Sequence, residues 1–268
     1  MSTSEVPEVP EGRPVIRLRS CNIRGKFQRW MKCPEFVEAA GCCEINVFLE
    51  TRMSKDSMAA EEGIPGFTRH SIERESGESY PGGGVAVFVR DSIQLEKSVL
   101  SSPDILVLDS QEMMVVGAYI LPSNSVPDDS VGDSYGRLAK LLKLCGEEEK
   151  PVVIIGDLNA RVGVSVLRES EDKVVSPRGK LLLDSCKETG MQIFNGMFTN
   201  SSSFTSHKPG DGKSVVDLAI GNRSAHQLVA AMRIGSQLSM KADDGRTLST
   251  DHSEVFLDLF DPRQSASL

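Results

Sequence analysis

Asp157 and Asn159 stand two residues apart, where the apolar run VVIIG gives way to polar residues. Val152 to Ile155 are β-branched throughout, which favours a buried strand, and Gly156-Asp157 marks where that strand surfaces. A carboxylate and a carboxamide at such a point can orient a water and hold an anionic oxygen. Similar placements recur along the chain. Asn22 follows VIRLRSC, Glu50 ends EINVFLE, and Tyr119 lies near the end of VVGAY. Asp217 interrupts SVVDLAI, and Asp251-His252 directly precede SEVFLDLF. In a layered fold, strand ends can converge on one rim, and a polar cluster there is a candidate site.

Taken singly, most of these residues have a plainer reading. A carboxylate after a strand, such as Asp157 or Glu50, serves as a turn or helix-cap residue. Asn22 can accept a positive φ in a turn. Tyr119 reads as core with a satisfied hydroxyl. Asp217 is harder to dismiss, because a carboxylate between Val216 and Leu218 is costly to bury unless hydrogen-bonded or paired. His252 is the economical partner: an aspartate holding a histidine fixes its tautomer and favours the protonated ring. His70, His207 and His226 lack such a setting and read as surface or loop residues. YPGGGVAVF has no lysine-bearing phosphate-loop pattern, so a hairpin turn is expected there.

The elements that must position these groups can be read from periodicity. VIRLRSC (Val15 to Cys21) alternates as a half-buried strand does. CPEFVEAAG predicts a helix with Pro34 near its start and Gly41 past its end. EINVFLE is a second strand, a strand-turn-strand unit surrounds SYPGGGVAVFVR, and MMVVGAYILP (Met113 to Pro122) is a further strand. YGRLAKLLKLCG and RGKLLLDSCKETG predict amphipathic helices closed by Gly146 and Gly190. MQIFNG, SFTS, SVVDLAI and SEVFLDLF read as short strands. The order predicts an α/β layered domain with largely antiparallel sheets.

The 268 residues, 39% hydrophobic and 25% charged, are enough for a large core. Residues 1–14 and 261–268 are expected as disordered tails around a domain spanning 15–260. No leader pattern or long apolar run is visible, so no membrane association is expected. The six cysteines form no CxxC pair and read as reduced, mostly buried thiols of an intracellular protein. A net charge of −8 and a pI near 5.2 exclude a chain held on nucleic acid by overall basicity.

Taken in order, CNIRG, FLET, AYILP, GDLNARVG, SVVDLAI and STDH resemble the endonuclease/exonuclease/phosphatase superfamily. More narrowly, they resemble the apurinic-type endonuclease domain of LINE (non-LTR) retrotransposons, from about Val15 to about Leu259. The resemblance implies a four-layered α/β sandwich, two largely antiparallel mixed β-sheets packed together and flanked by helices. It implies that Glu50 holds a divalent ion, Mg²⁺ with Mn²⁺ as a substitute, with Asn22 hydrogen-bonding beside it. Tyr119 and Asn159 would contact the scissile phosphate, and Asp157 would orient and deprotonate the attacking water. Asp217 would hold His252, whose imidazolium would sit on the phosphoryl oxygens, while Asp251 supports the metal and water network. Thr205 and Thr250 fall where hydroxyls lie near the phosphate, and Arg24 falls among the DNA contacts. Leu158, Leu218, Thr250 and Ser253 depart from the residues usual at those positions, and none removes an implied ligand.

Phosphodiester hydrolysis needs a nucleophile placed opposite the leaving oxygen and positive charge on the non-bridging oxygens. Mg²⁺ takes oxygen ligands and keeps waters, so one or two carboxylates suffice. The expected activity is metal-dependent nicking of one DNA strand to leave a 3′-hydroxyl, as in target-primed retrotransposition. DNA is the expected substrate, the reverse transcriptase region of the same polyprotein a partner, and the nucleus the place of action. A small-molecule phosphatase or phosphodiesterase of the same superfamily and a non-catalytic transposon-derived DNA-binding module are the alternatives. Target discrimination is expected from surface loops such as 199–213.

Overall fold

The computed structural model describes residues 14–60, 63–72, 83–122, 134–208, 210, 212–242 and 245–267. The N-terminal tail expected at 1–14 falls outside these residues apart from its last position, as does most of the turn predicted around the glycine triplet.

The alternating and β-branched runs become the middle strands of two sheets. β1 (Val15–Asn22) passes through α1 (Phe27–Met31) and α2 (Pro34–Gly41) to β2 (Ile45–Leu49), which lies parallel to it. After α3 (Lys55–Ala60), β3 (Phe67–Ile72) and β4 (Val85–Arg90) add antiparallel strands beyond β2. The second sheet repeats the plan. β5 (Glu96–Lys97), β6 (Ile105–Asp109) and β7 (Met114–Tyr119) form a meander. α4 (Ser134–Glu147) then crosses to β8 (Val152–Asp157), parallel to β7. α5 (Pro177–Thr189), β9 (Gln192–Ile193), β10 (Ser206–Lys208), β11 (Gly212–Ser214) and β12 (Asp217–Gly221) follow. The chain closes with α6 (Arg223–Leu228), β13 (Val229–Lys241) and β14 (Thr247–Phe260). One sheet has the order β11-β10-β14-β1-β2-β4-β3 with β13 also on β14, and the other β5-β6-β7-β8-β12-β9.

Three apolar clusters define four layers. Inward residues of both sheets, among them Leu18, Val47, Val87, Val115, Val153 and Ile155, form the central core. Leu138, Leu142, Leu182 and Cys186 from α4 and α5 cover the outer face of the second sheet. Phe27, Trp30 and Phe36 cover the outer face of the first, against Phe48 and Phe88. Each such side chain contributes about 1.5–3 kcal/mol when fully buried. The sheets are close enough at Gly117 that a Cβ there would lie 2.8 Å from a Val47 methyl. All six cysteines are free thiols, five of them buried.

Helix ends follow local chemistry. Ser176 caps α5 by accepting from Gly179 N, Pro177 occupies its first turn, and Gly190 ends it at φ 71°. Gly41 and Gly146 instead lie inside the last turns of their helices. Three strand expectations need correction, and one strand is new. SFTS is mostly loop, since the Thr205 hydroxyl bonds backbone rather than a ladder. SVVDLAI splits, because Val215 and Val216 join β11 to β12. The last strand begins at Thr247, so Asp251 and His252 are within it rather than before it. β13 was not anticipated: bulges shift its register three times and break the apolar period. Beyond β14, Pro262–Ser267 form a 3₁₀-helix, where a frayed tail was expected. Arg263 ties its start down by binding Asp261 and the Ser92 carbonyl.

Candidate active site

Strand register creates the site. Tyr119 is level with Asp157 across the parallel β7–β8 pair, and Asp157 with Asp217 across β8–β12. Three residues with titratable side chains therefore stand side by side at one end of the second sheet. At the facing end of the first sheet, Asn22 is level with Leu49, the residue before Glu50, and β14 brings His252 opposite Ser206. Gly156 permits the first group: a Cβ there would sit 2.0 Å from the Ala118 carbonyl oxygen.

Two hydrogen bonds join these rims across the sheets. Asn22 Nδ2 donates to Asp157 Oδ2 at 3.0 Å, and His252 Nδ1 meets Asp217 Oδ2 at 2.8 Å. The other ring nitrogen, Nε2, lies 3.9 Å from both Asp157 Oδ2 and Asp251 Oδ1. Asp157 Oδ1 also accepts from the Asn159 N–H at 3.1 Å. Asn22, Asp157, Asp217 and His252 are all buried. Burial, and then the Asp217 charge beside it, push the Asp157 carboxyl up to about 7. Burial alone would lower His252, but the Asp217 carboxylate overrides it and raises the imidazolium to about 9.

Asp251 Oδ2 pairs with Arg24 Nη1 at 3.0 Å. Its Oδ1 is buried without a hydrogen-bond partner. Glu50 Oε1 accepts from Arg52 Nε at 3.0 Å, and the Glu50 carbonyl accepts from Gly25 N, which ties Glu50 to the Asn22–Arg24 segment. Four carboxylates thus meet three cationic side chains when His252 is protonated. With His252 protonated on both ring nitrogens it cannot ligate, and the donors left for a metal are oxygens. An orphaned buried carboxylate oxygen and an excess of acid fit a hard divalent cation such as Mg²⁺. Asp157, Asp217 and His252 also present ligand atoms within 4.8 Å of one another.

The backbone is strained around this rim. Among the described residues, six non-glycine positions have positive φ, and Arg24, Glu50, Arg52 and Asn159 are four of them. Such conformations persist only where the surroundings enforce them. Asn159 is fixed by its Nδ2 bond to the Ile120 carbonyl. Tyr119 is buried in the inter-sheet core, and its N–H donates to the carbonyl of Asp104, another positive-φ residue.

The two threonines expected near the phosphate both bond backbone. The Thr205 hydroxyl is fully buried and accepts from the N–H groups of Val216 and Asp217, both at 3.0 Å. Thr250 Oγ1 donates to the Asn22 carbonyl and accepts from His252 N. Both sit behind the site and position its residues. Asn195 escaped the sequence reading: its amide donates to the Asp217 carbonyl at 3.0 Å and accepts from Ala219 N at 2.9 Å. An amide within IFNG reads as turn chemistry, so only its burial could have singled it out. Leu158 and Leu218 point into the outer core, away from the site.

No family model matches the sequence, and neither does any curated protein. Solved structures do match. A 3′-5′ exonuclease (NExo) from Neisseria meningitidis superposes with a TM-score of 0.68 at 12% identity, covering 91% of this chain and 99% of that one. A structure of the 3′ phosphatase NExo from Neisseria bound to a product DNA hairpin gives 0.64 at 11%, with coverages of 91% and 99%. The endonuclease domain of TRAS1, a telomere-specific non-LTR retrotransposon, gives 0.59 at 17%, covering 93% of this chain and all of that domain. This chain has the endonuclease/exonuclease/phosphatase fold. Within that fold, the Asp217–His252 couple and the Asn22–Asp157 bond occupy the rim where the two sheets meet.

Proposed function

We propose that this chain is a divalent-metal-dependent endonuclease that hydrolyses one phosphodiester of a DNA strand and leaves a 3′-hydroxyl. The reading is carried by the buried Asp217–His252–Asp157 cluster, in which a charged imidazole and a carboxylate face one small space at the sheet ends. The superfamily fold and its nucleic-acid-processing neighbours support it.

Each residue then has one task. Asp157, fixed by Asn22 Nδ2 and Asn159 N, orients the attacking water and takes its proton. His252 donates through Nε2 to a phosphoryl oxygen, while Asp217 holds the ring and keeps it charged. Asn159 and Tyr119, on adjoining strand ends, steady the phosphate. Glu50 and Asp251 would hold the cation, with Asn22 bonded alongside and Arg24 keeping Asp251 in place. The bound ion would add positive charge on the phosphoryl oxygens and acidify a water. A reverse transcriptase region of the same polyprotein, acting in the nucleus, would extend the 3′-hydroxyl.

The test is relaxation of supercoiled plasmid in Mg²⁺, followed by polymerase extension of the nick. We expect nicked, extendable product that disappears with EDTA and in Asp157→Ala. Release of phosphate from inositol polyphosphates without nicking would favour the small-molecule reading. EDTA-resistant DNA binding without cleavage under any divalent ion would leave only a binding module.

A further inference from the structure

Val166 and Leu167 occupy the two central positions of a tight turn. Ser165 N donates to the Arg168 carbonyl at 3.0 Å, and Arg168 N donates back to Ser165 at 3.2 Å. Turn tips ordinarily carry glycine, asparagine or aspartate. Here both tip residues are aliphatic, with relative exposures of 102% and 78%. Five of the nine large apolar residues exposed among the described residues fall between positions 164 and 175.

The turn is anchored, not loose. Arg168 is buried, and its Nη2 donates to the Val162 carbonyl at 2.8 Å. Glu169 N bonds the Gly196 carbonyl, and the contact is so close that a Cβ on Gly196 would lie 1.7 Å from the Glu169 oxygen. The Arg161–Asp172 ion pair and a Val162–Val175 bridge close its base. Two clefts abut the turn, of about 570 Å³ and 520 Å³, and both are lined by Ser165, Arg168, Glu169 and Ser202. The tip is therefore a stiff apolar ridge with open space beside it.

Its position relates it to the site. Val166 lies seven residue steps beyond Asn159, a span of at most about 24 Å when fully extended. A duplex seated on Asp157 and His252 is thus within reach a few base steps from the cleaved bond. In a chain of net charge −8, residues 161–180 carry five basic and three acidic side chains. With Arg168 buried and Arg161 paired to Asp172, Lys173, Arg178 and Lys180 remain against Glu169 and Glu171, a slight local excess that suits a polyanion.

We propose that Val166 and Leu167 are an apolar wedge that enters the base stack of duplex DNA beside the cleavage site. The wedge rests on the nuclease reading for its partner. Leucine and other apolar side chains unstack and kink DNA in this way, and the cost of a kink depends on the step being opened. The turn would accordingly bias cleavage towards deformable pyrimidine–purine steps.

The experiment uses duplex oligonucleotides with 2-aminopurine at successive positions around the mapped nick, in Ca²⁺ so that hydrolysis stops. Binding is followed by anisotropy and unstacking by 2-aminopurine emission. We expect emission to rise about threefold at one step on saturation, as a single inserted wedge requires. The paired change Val166→Ser, Leu167→Ser should remove that rise while its unfolding midpoint stays within about 2 °C of the parent. Saturated binding with no emission change at any step overturns the wedge and leaves the nuclease reading intact. A rise that persists in the double variant also overturns it. Absence of duplex binding together with absence of nicking overturns both readings. Loss of self-association by sedimentation in the double variant, with the emission rise unchanged, would assign the tip to protein contact instead.

Discussion

At the residue scale the site depends on how two buried acids treat one imidazole. Asp217→Asn removes the charge that overcomes burial at His252, so the ring should titrate well below about 9 by NMR. Nicking should fall about a hundredfold or more, the usual worth of a positioned proton donor. The same groups give the metal-free protein a pH-dependent stability. Both Asp157 and His252 have folded-state values raised above their ordinary 3.8 and 6.5. Each contribution is complete below the unfolded value and is lost as pH rises through the folded one. Urea unfolding in EDTA should therefore show lower stability at pH 9 than at pH 6. Thr205→Val strands two buried N–H donors and should cost roughly 2–4 kcal/mol in the same assay. Asp217 was legible in the sequence because a charge amid valines demands a partner. Thr205 and Asn195 were not, since a hydroxyl and an amide that brace backbone look like any loop residue until burial is known.

At the element scale, β8 and β12 act as one device. Their antiparallel register sets Asp157 opposite Asp217, and Gly156 permits the approach of β7. Gly156→Ala should destabilise the fold by about 1–3 kcal/mol or more, because its Cβ meets backbone and not a flexible side chain. Its nicking should fall further than its folded fraction does, as Asp157 is displaced along with the strand. Most elements could be read from periodicity, but the parallel pairing of β1 with β2 and of β7 with β8 could not. β13 could not: Gly235, Ser236 and Gln237 interrupt its apolar pattern, and its pairing with β14 survives through bulges that no local signal encodes. The true start of β14 was hidden for a related reason, since Thr250, Asp251 and His252 look like a polar loop but are held by β10 and by Asn22.

At the scale of the whole molecule, two sheets of matching plan share one core and one polar end. The acidic excess there leads us to expect that Mg²⁺ binds the folded state and stabilises it. At a hundred times its dissociation constant the gain is about 2.7 kcal/mol. A rise of several degrees in the unfolding midpoint, absent from Asp251→Asn, would be the readout independent of cleavage.

The bonds from Asn22 to Asp157 and from His252 to Asp217 each have one end on either slab of the sandwich. Neither slab carries the whole candidate site. A slip of the slabs by a single residue would separate Asp157 from His252 while leaving the two outer apolar clusters dry. Loss of turnover should then precede loss of helical signal in any gradual denaturation, so that hydrolysis reports sandwich alignment more sensitively than spectroscopy does.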